Sequence, residues 1–143
     1  MPEQNYQNHR KAVPGFLIAS VALFASFIGA CVNLYLSIGD HQRLYSASLL
    51  VVISICALTL GFFGRTFALK VQDRAIRAEE NLRHFVLTGK LLDSRLKPQQ
   101  IVGLRFASDA EFPALAREAA EGDLKLDEIK KKVRNWRADH YRA

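Results

Sequence analysis

The sequence predicts an all-α membrane protein: an antiparallel two-helix transmembrane hairpin whose second helix extends into the cytoplasm and is followed by a small helical domain. The distribution of charge carries most of this prediction. Of the 20 basic and 14 acidic residues in the chain, only Asp40 and Arg43 fall between 12 and 64, whereas 29 fall between 65 and 143. A length of 143 residues excludes a large multidomain enzyme.

Residues 12–38 are predicted as the first transmembrane helix. They are mostly apolar and carry no charge, and about 20 apolar residues cross a bilayer. Pro14 suits the first turn because its missing N–H would be unpaired there. A lipoprotein signal is the alternative, since the sequence IGAC at 28–31 resembles a cleavage box. The apolar residues that continue past Cys31 favour a membrane span.

Residues 44–64 are predicted as the second transmembrane helix. The link at 39–43 is short, so the two helices must run antiparallel. Two basic residues lie in the N-terminal segment 1–11, one lies in the link, and five follow the second span between 65 and 83. The positive-inside rule therefore places both termini in the cytoplasm.

Residues 65–88 continue the second helix into the cytoplasm, because neither Gly nor Pro interrupts them and Gly89 is a natural stop. One uncharged stripe with 3,4 spacing follows this helix from Ala47 to Phe85. It is rich in small residues, which allow helix backbones to approach closely. The predicted helix-packing residues are Ala22, Ser26, Gly29 and Asn33 on the first span, and Ser54, Ala57, Gly61, Gly64, Ala68, Ala75 and Ala78 on the second helix.

We expect the stripes of the two spans to face each other. The partner of the cytoplasmic part is either the C-terminal helices of the same chain or a second copy. Asn33 is the strongly polar side chain of the spans and is expected to contact Ser48 or another copy. Cys31 and Cys56 are predicted to be small core residues, too far apart for a disulfide.

Charged side chains on the cytoplasmic side of the second span have two expected roles. Arg65 and Lys70 are expected to contact anionic lipid headgroups. Glu79 with Arg83 is expected to form a solvent-exposed i,i+4 pair. The extension therefore has a solvated face as well as an apolar one.

The remaining residues, 89–143, are predicted to form a small helical domain. Its predicted helices are 98–107, 108–121 and 126–141. Ser108 and Glu111 match a capping box at the start of the second of these. Trp136 falls on the apolar face of the last helix and is predicted to anchor the core.

The last predicted helix is strongly basic. Residues 109–128 carry a net charge of −5 and residues 129–143 a net charge of +5, so pairing within or between chains is expected. The alternative is a membrane-tethered regulator that binds nucleic acid or an acidic partner through this helix. The candidate partner-binding residues are Lys130, Lys131, Lys132, Arg134 and Arg137.

We expect no enzymatic activity, cofactor or metal site. The four histidines are scattered without metal-ligand spacing, and the sequence has no phosphate-binding loop or activated nucleophile. The leading hypothesis is a non-enzymatic interaction protein of the lipid bilayer, either homo-oligomeric or an accessory subunit of a larger membrane complex. A channel or transporter subunit, with several copies lining a path past Asn33, is a further alternative.

Several segments of the chain resemble a family of small bacterial membrane proteins that carries only a domain-of-unknown-function label. They are QNY at 4–6, HR at 9–10, PG at 14–15, RLYSASLL at 43–50, QDRAIRAEENLRH at 72–84, LRFA at 104–107 and NWRAD at 135–139. The resemblance implies a bacterial cytoplasmic membrane protein and no assigned reaction. Lys125 departs from the pattern, because such relatives tend to have a capping serine there, and this places the start of the last helix in doubt.

Overall fold

The computed structural model describes residues 4–8 and 13–139. These residues form five helices and no strand: α1 Pro14–Leu36, α2 His41–Thr88, α3 Pro98–Leu104, α4 Phe112–Glu121 and α5 Leu126–Lys132. The two basic residues of the N-terminal segment, Arg10 and Lys11, the predicted start of the first span at 12 and the predicted helix end at 141 lie outside the described residues. Helices α1 and α2 are both long and apolar enough to cross a membrane.

The chain divides into two compact units, which are described separately below. The hairpin unit is Ala12–Ala68, which contains α1 and the first part of α2. The tail unit is Met1–Lys11 together with Leu69–Ala143, and it contains the remainder of α2 and helices α3 to α5.

The ends of the helices in the hairpin unit follow from local capping. Pro14 occupies the first turn of α1, as predicted. Asp40 caps α2, because its Oδ1 accepts the backbone N–H groups of Gln42 at 3.1 Å and Arg43 at 3.2 Å. Helix α1 ends at Leu36 instead of residue 38, and α2 starts at His41, so the link is 37–40 instead of the predicted 39–43.

Helix α1 and the first part of α2 run antiparallel. The Arg65 guanidinium lies 5.7 Å from the centroid of the Phe16 ring, and the short link joins the opposite ends of the two helices. Ala30 of α1 and Ala47 of α2 are buried. The less exposed positions of α1 are Ser20, Leu23, Phe27, Ala30 and Leu34.

The two small-residue stripes do not face each other in the hairpin unit. Ala22, Ser26, Gly29 and Asn33 are exposed, as are Gly61, Gly64 and Ala68, whereas Ser54 and Ala57 are half-buried. The covered side of α1 carries the residue that follows each stripe residue, which corresponds to a rotation of about 100° around the helix axis. Larger side chains such as Leu23 and Phe27 occupy that side. Contact of the exposed stripe residues with another molecule stays a prediction.

The polar residues and cysteines of the hairpin unit also point elsewhere than expected. Cys31 and Cys56 are free and exposed, so the prediction that they are core residues is wrong for this chain. The Ser48 hydroxyl donates to the Tyr45 carbonyl at 2.7 Å, so its hydrogen bond is local. Asn33 is exposed.

Helix α2 continues without a break past Arg65, as predicted, and ends at Thr88. Gly89 has a φ of +71°, and its N–H donates to the Phe85 carbonyl at 2.8 Å. A left-handed residue with this bond is a common way to end a helix, and glycine adopts the conformation without steric cost.

The core of the tail unit is formed by α3, α4, α5, the segments that flank them and one residue of α2. Its buried members are Ile76, Leu96, Ile101, Leu104, Ala107, Phe112, Leu115, Ala116, Ala119, Ile129 and Val133. Helix α3 lies close to α5 at Gly103, where an added Cβ would be 3.2 Å from both Ile129 Cγ2 and Leu126 Cδ1. The C-terminal helices thus pack on α2 of the same chain.

The last helix is shorter than predicted. Helix α5 ends at Lys132, and the following residues pair with the segment after α3: the Ser108 N–H donates to the Asn135 carbonyl at 3.1 Å and the Arg137 N–H to the Phe106 carbonyl at 2.8 Å. The Trp136 ring lies 4.9 Å from the Phe106 ring. Trp136 therefore packs on the core as predicted, but from extended backbone.

The other predicted helix boundaries need smaller corrections. Helix α3 ends at Leu104, before the predicted 107, and α4 begins at Phe112 instead of residue 108. Half of the predicted capping box forms: Glu111 Oε1 accepts the Ser108 N–H at 3.3 Å, but the Ser108 hydroxyl has no hydrogen-bond partner among the described residues. Helix α5 starts at the predicted Leu126 although Lys125 precedes it, and Glu128 accepts the N–H of Lys125 at 2.6 Å.

Candidate functional site

A buried ion pair within α2 contacts the segment between α3 and α4. Arg83 Nη1 lies 2.9 Å from Glu80 Oε2, and both side chains are almost fully buried, at 11% and 7% exposed. Arg83 Nη2 donates to the Ala107 carbonyl at 2.7 Å, and its Nε donates to Asp109 at 2.7 Å. The expectation of a solvated pair between Glu79 and Arg83 is therefore wrong: the partner is Glu80.

A cavity of about 420 Å³ lies beside this ion pair. Its lining residues are Gln72, Ala75, Ile76, Glu79, Glu80, Arg105, Arg137, Ala138 and Asp139. Arg105 Nη1 lies 3.1 Å from Asp139 Oδ2, and Arg137 Nη1 lies 3.8 Å from Glu80 Oε1. The buried charges in the wall thus have partners of opposite sign, and the cavity has no strong excess of either charge.

The N-terminal segment 4–8 docks on the C-terminal end of the tail unit. Gln4 Oε1 accepts the Asp139 N–H at 2.8 Å, and Gln4 Nε2 lies 3.5 Å from the Asp139 carbonyl oxygen. Lys131 Nζ lies 5.8 Å from the centroid of the Tyr6 ring. Sequence reasoning missed this contact because nothing in the local pattern links residue 4 to residue 139.

The Glu111 carboxylate holds the segment after α5. Its Oε1 accepts the N–H of Asn135 at 3.0 Å and its Oε2 the N–H of Arg134 at 3.3 Å. Burial, the largest single influence, raises the pKa of Glu111, but the hydrogen bonds from Asn135, Arg134 and Ser108 together outweigh it and lower that pKa below the ordinary value. The charged form of Glu111 is therefore favoured by the fold.

One of the five basic partner-binding candidates is buried, and three of the others lie near a side chain of the same chain. Lys130 is buried, with Nζ 5.7 Å from the Phe106 ring centroid, and Lys132 Nζ lies 2.6 Å from Glu118 Oε1. Lys131 is near Tyr6 and Arg137 near Glu80, as described above. These two residues, Lys132 and Arg134 are all exposed. The arrangement agrees with charge pairing inside the chain.

The two lipid-headgroup candidates have different surroundings. In the hairpin unit, Arg65 is half-buried beside Phe16. In the tail unit, Lys70 is exposed. Contact of either residue with lipid stays a prediction.

The tail unit leaves one apolar side of α2 uncovered. We call it the α2 apolar face: Val71, Ala75, Ala78, Leu82 and Phe85. Val71 is 66% exposed, Leu82 64% and Phe85 49%. It includes the predicted packing residues Ala75 and Ala78. The C-terminal helices cover a different side of α2, the side with Ile76 and Glu80.

These features define the class of protein: an all-α chain with two helices long and apolar enough to span a membrane, and a unit of short helices around one core. The chain belongs to a family of unknown function, DUF6526, which matches residues 1–143. No curated protein and no solved structure matches the chain. Among the described residues, no group of three or more His, Cys, Asp or Glu side chains is placed to hold a metal ion.

Proposed function

We propose that this protein is a non-enzymatic interaction protein of the bacterial cytoplasmic membrane. In this proposal the hairpin unit spans the bilayer twice, both termini are cytoplasmic, and the tail unit associates with a second copy or with a larger membrane complex. The α2 apolar face is the observation that carries the proposal.

The surface of the hairpin unit supports insertion in lipid. Large apolar side chains point outward from both helices, among them Ile18 at 68% and Leu60 at 72% exposed. Keeping apolar area in water costs about 25 cal/mol per Å², whereas the same area in hydrocarbon has no such cost. Apolar residues on the outer surface of both helices are therefore what a membrane hairpin requires.

The docked N-terminal segment supports an even number of crossings. Gln4 precedes α1 and Asp139 follows α2 and the short helices, yet their hydrogen bond places them in the same unit. Two chain segments in contact lie on the same side of a bilayer. The excess of basic residues near these segments then favours the cytoplasmic side.

The α2 apolar face supports an interaction role. Val71, Leu82 and Phe85 are exposed large apolar residues on one side of a helix that also carries many charges. Contiguous exposed apolar surface on a folded unit commonly marks a contact with another protein. The face is therefore expected to be covered in the native membrane.

Topology is tested with thiol labelling in intact cells. In a background with Cys31→Ala and Cys56→Ala, Gln42→Cys is expected to react with a membrane-impermeant maleimide, and Asp127→Cys only after the cells are opened. Labelling of both positions, or of neither, in intact cells would contradict the two-span arrangement.

Association is tested by native mass measurement and crosslinking in mild detergent. We expect a homo-oligomer or a copurifying membrane protein, and loss of that association in Leu82→Glu. Arg77→Glu, at an exposed position on the same helix outside the α2 apolar face, is the matched control and is expected to associate normally. A strict monomer with no copurifying protein would refute the interaction role.

A further inference from the structure

We propose that a second copy of this chain covers the α2 apolar face, with the two α2 helices parallel and Arg74 of each copy paired with Glu79 of the other. The inference rests on the proposed function and deepens it by naming the partner. It is argued from the spacing of the face and from the two charges beside it.

The α2 apolar face has the spacing of a two-stranded coiled coil. Its residues follow each other at intervals of 4, 3, 4 and 3, which is the a and d pattern of a heptad repeat. Ala75 and Leu82 then occupy a positions, and Val71, Ala78 and Phe85 occupy d positions. This register fixes which residues flank the contact.

The flanking e and g positions between 72 and 88 are Gln72, Arg74, Glu79, Asn81, Val86 and Thr88. Of these, the two charged residues are Arg74 at a g position and Glu79 at the following e position. They have opposite signs. Both side chains are exposed, and neither forms an ion pair within the part of the chain that the structure describes.

The positions of these charges select a parallel pair. In a parallel coiled coil, a g residue of one helix faces the e residue five positions later in its partner, and 74 and 79 differ by five. A two-fold axis then produces the contact twice, because such an interface repeats every contact. In an antiparallel pair g faces g and e faces e, so Arg74 could not meet Glu79.

The proposed membrane topology requires the same direction. Two copies inserted in the bilayer with the same orientation send α2 toward the cytoplasm in the same sense. Ala75 and Ala78 allow the two helices to approach closely, and Leu82 and Phe85 supply larger apolar contacts beyond them. Helix direction, apolar spacing and flanking charge thus all favour a second copy of this chain on the α2 apolar face.

The test exchanges the charges between copies. Arg74→Glu places like charges at both flanking contacts of its homodimer, and so does Glu79→Arg. When the two variants are mixed, every flanking contact again joins opposite charges. With differently tagged full-length copies coexpressed and extracted in mild detergent, we expect the ratio of mixed to like dimers to exceed its statistical value by about three- to tenfold, and salt to reduce this preference.

Two controls separate this contact from general effects on folding. The double variant Arg74→Glu with Glu79→Arg is expected to self-associate like the unchanged chain, since both partners of each contact are reversed. Arg77→Glu mixed with the unchanged chain is expected to show no preference.

Three outcomes would overturn the inference, and they differ in what they imply for the proposed function. Dimers without a preference for the mixed pair would refute this contact and leave an interaction role standing. A single copy that copurifies with a different membrane protein would likewise refute this contact and leave an interaction role standing. A monomer with no partner would refute both proposals.

Discussion

The guanidinium of Arg83 lies 4.4 Å from the centroid of the Phe112 ring, so a residue of α2 is stacked on the first residue of α4. The same guanidinium is hydrogen-bonded to Glu80 and to the Ala107 carbonyl. A planar cation can make both kinds of contact at once, because its N–H groups point outward in the plane and its face is left for the ring. Arg83 therefore links α2 to the segments before and within α4.

Removing this link is expected to destabilise the tail unit. Arg83→Met leaves the Glu80 carboxylate buried without its closest cation, and breaking a buried pair in this way costs about 3 kcal/mol. Thermal unfolding of the full chain in detergent, followed by the fluorescence of the single tryptophan Trp136, measures the loss. Arg77→Met is the matched control on an exposed position and is expected to change stability little.

A second substitution separates the buried charge from other effects of Arg83→Met. Adding Glu80→Gln removes the unpaired carboxylate, so the double variant is expected to be more stable than Arg83→Met alone. If the double variant were equally or less stable, packing on Phe112 rather than charge would explain the loss.

The close approach of α3 to α5 makes Gly103 sensitive to size. Gly103→Leu would push Ile129 and Leu126 of α5 away from α3, since even a Cβ would lie 3.2 Å from both side chains. We expect a loss of roughly 2 kcal/mol in the free energy of unfolding from overpacking. Gly103→Ala is the smaller control: its gain in helix propensity of about 1 kcal/mol opposes the crowding. Equal stability of the Leu and Gly proteins would contradict this packing.

The lowered pKa of Glu111 predicts that the folded chain loses stability in acid. Its pKa is lowered in the folded chain, so it contributes stability above its unfolded pKa, near the ordinary value of 4.5, and that contribution is lost as the pH falls through the lower folded pKa. The free energy of unfolding of the full chain in detergent is therefore expected to fall below pH 4.5, and to fall less steeply in Glu111→Gln. Identical slopes in the two proteins would rule out this role of Glu111.

The contact between Gln4 and Asp139 predicts a local effect. Gln4→Ala removes the acceptor of the Asp139 N–H, so we expect faster hydrogen exchange at that amide with little change in the melting temperature. Gln7→Ala is a suitable control, because Gln7 donates to Asn5 Oδ1 through its backbone N–H, which the substitution keeps. Unchanged exchange at Asp139 would show that Gln4 does not protect it.

Part of the candidate site could be predicted from the sequence and part could not. The α2 apolar face could be predicted, because 3,4 spacing and the absence of charge are properties of a single helix. The burial of the pair of Glu80 and Arg83 could not be predicted, because Arg83 contacts Ala107 and Phe112, which are distant in the sequence. The i,i+3 spacing of Glu80 and Arg83 was the available signal for the pair.

The sequence by itself determined where the two long helices of this protein lie, to within a few residues at their ends. Runs of apolar residues, Pro14 at a start and Gly89 at an end are local features, so α1 and the continuous α2 follow from them. Only the tertiary structure decided which side of each helix is covered, because one residue of rotation, about 100°, separates the small residues of α1 from Leu23 and Phe27. It also decided that the backbone after Lys132 is extended, since the Ser108 N–H and Phe106 carbonyl that pair with it come from another part of the chain.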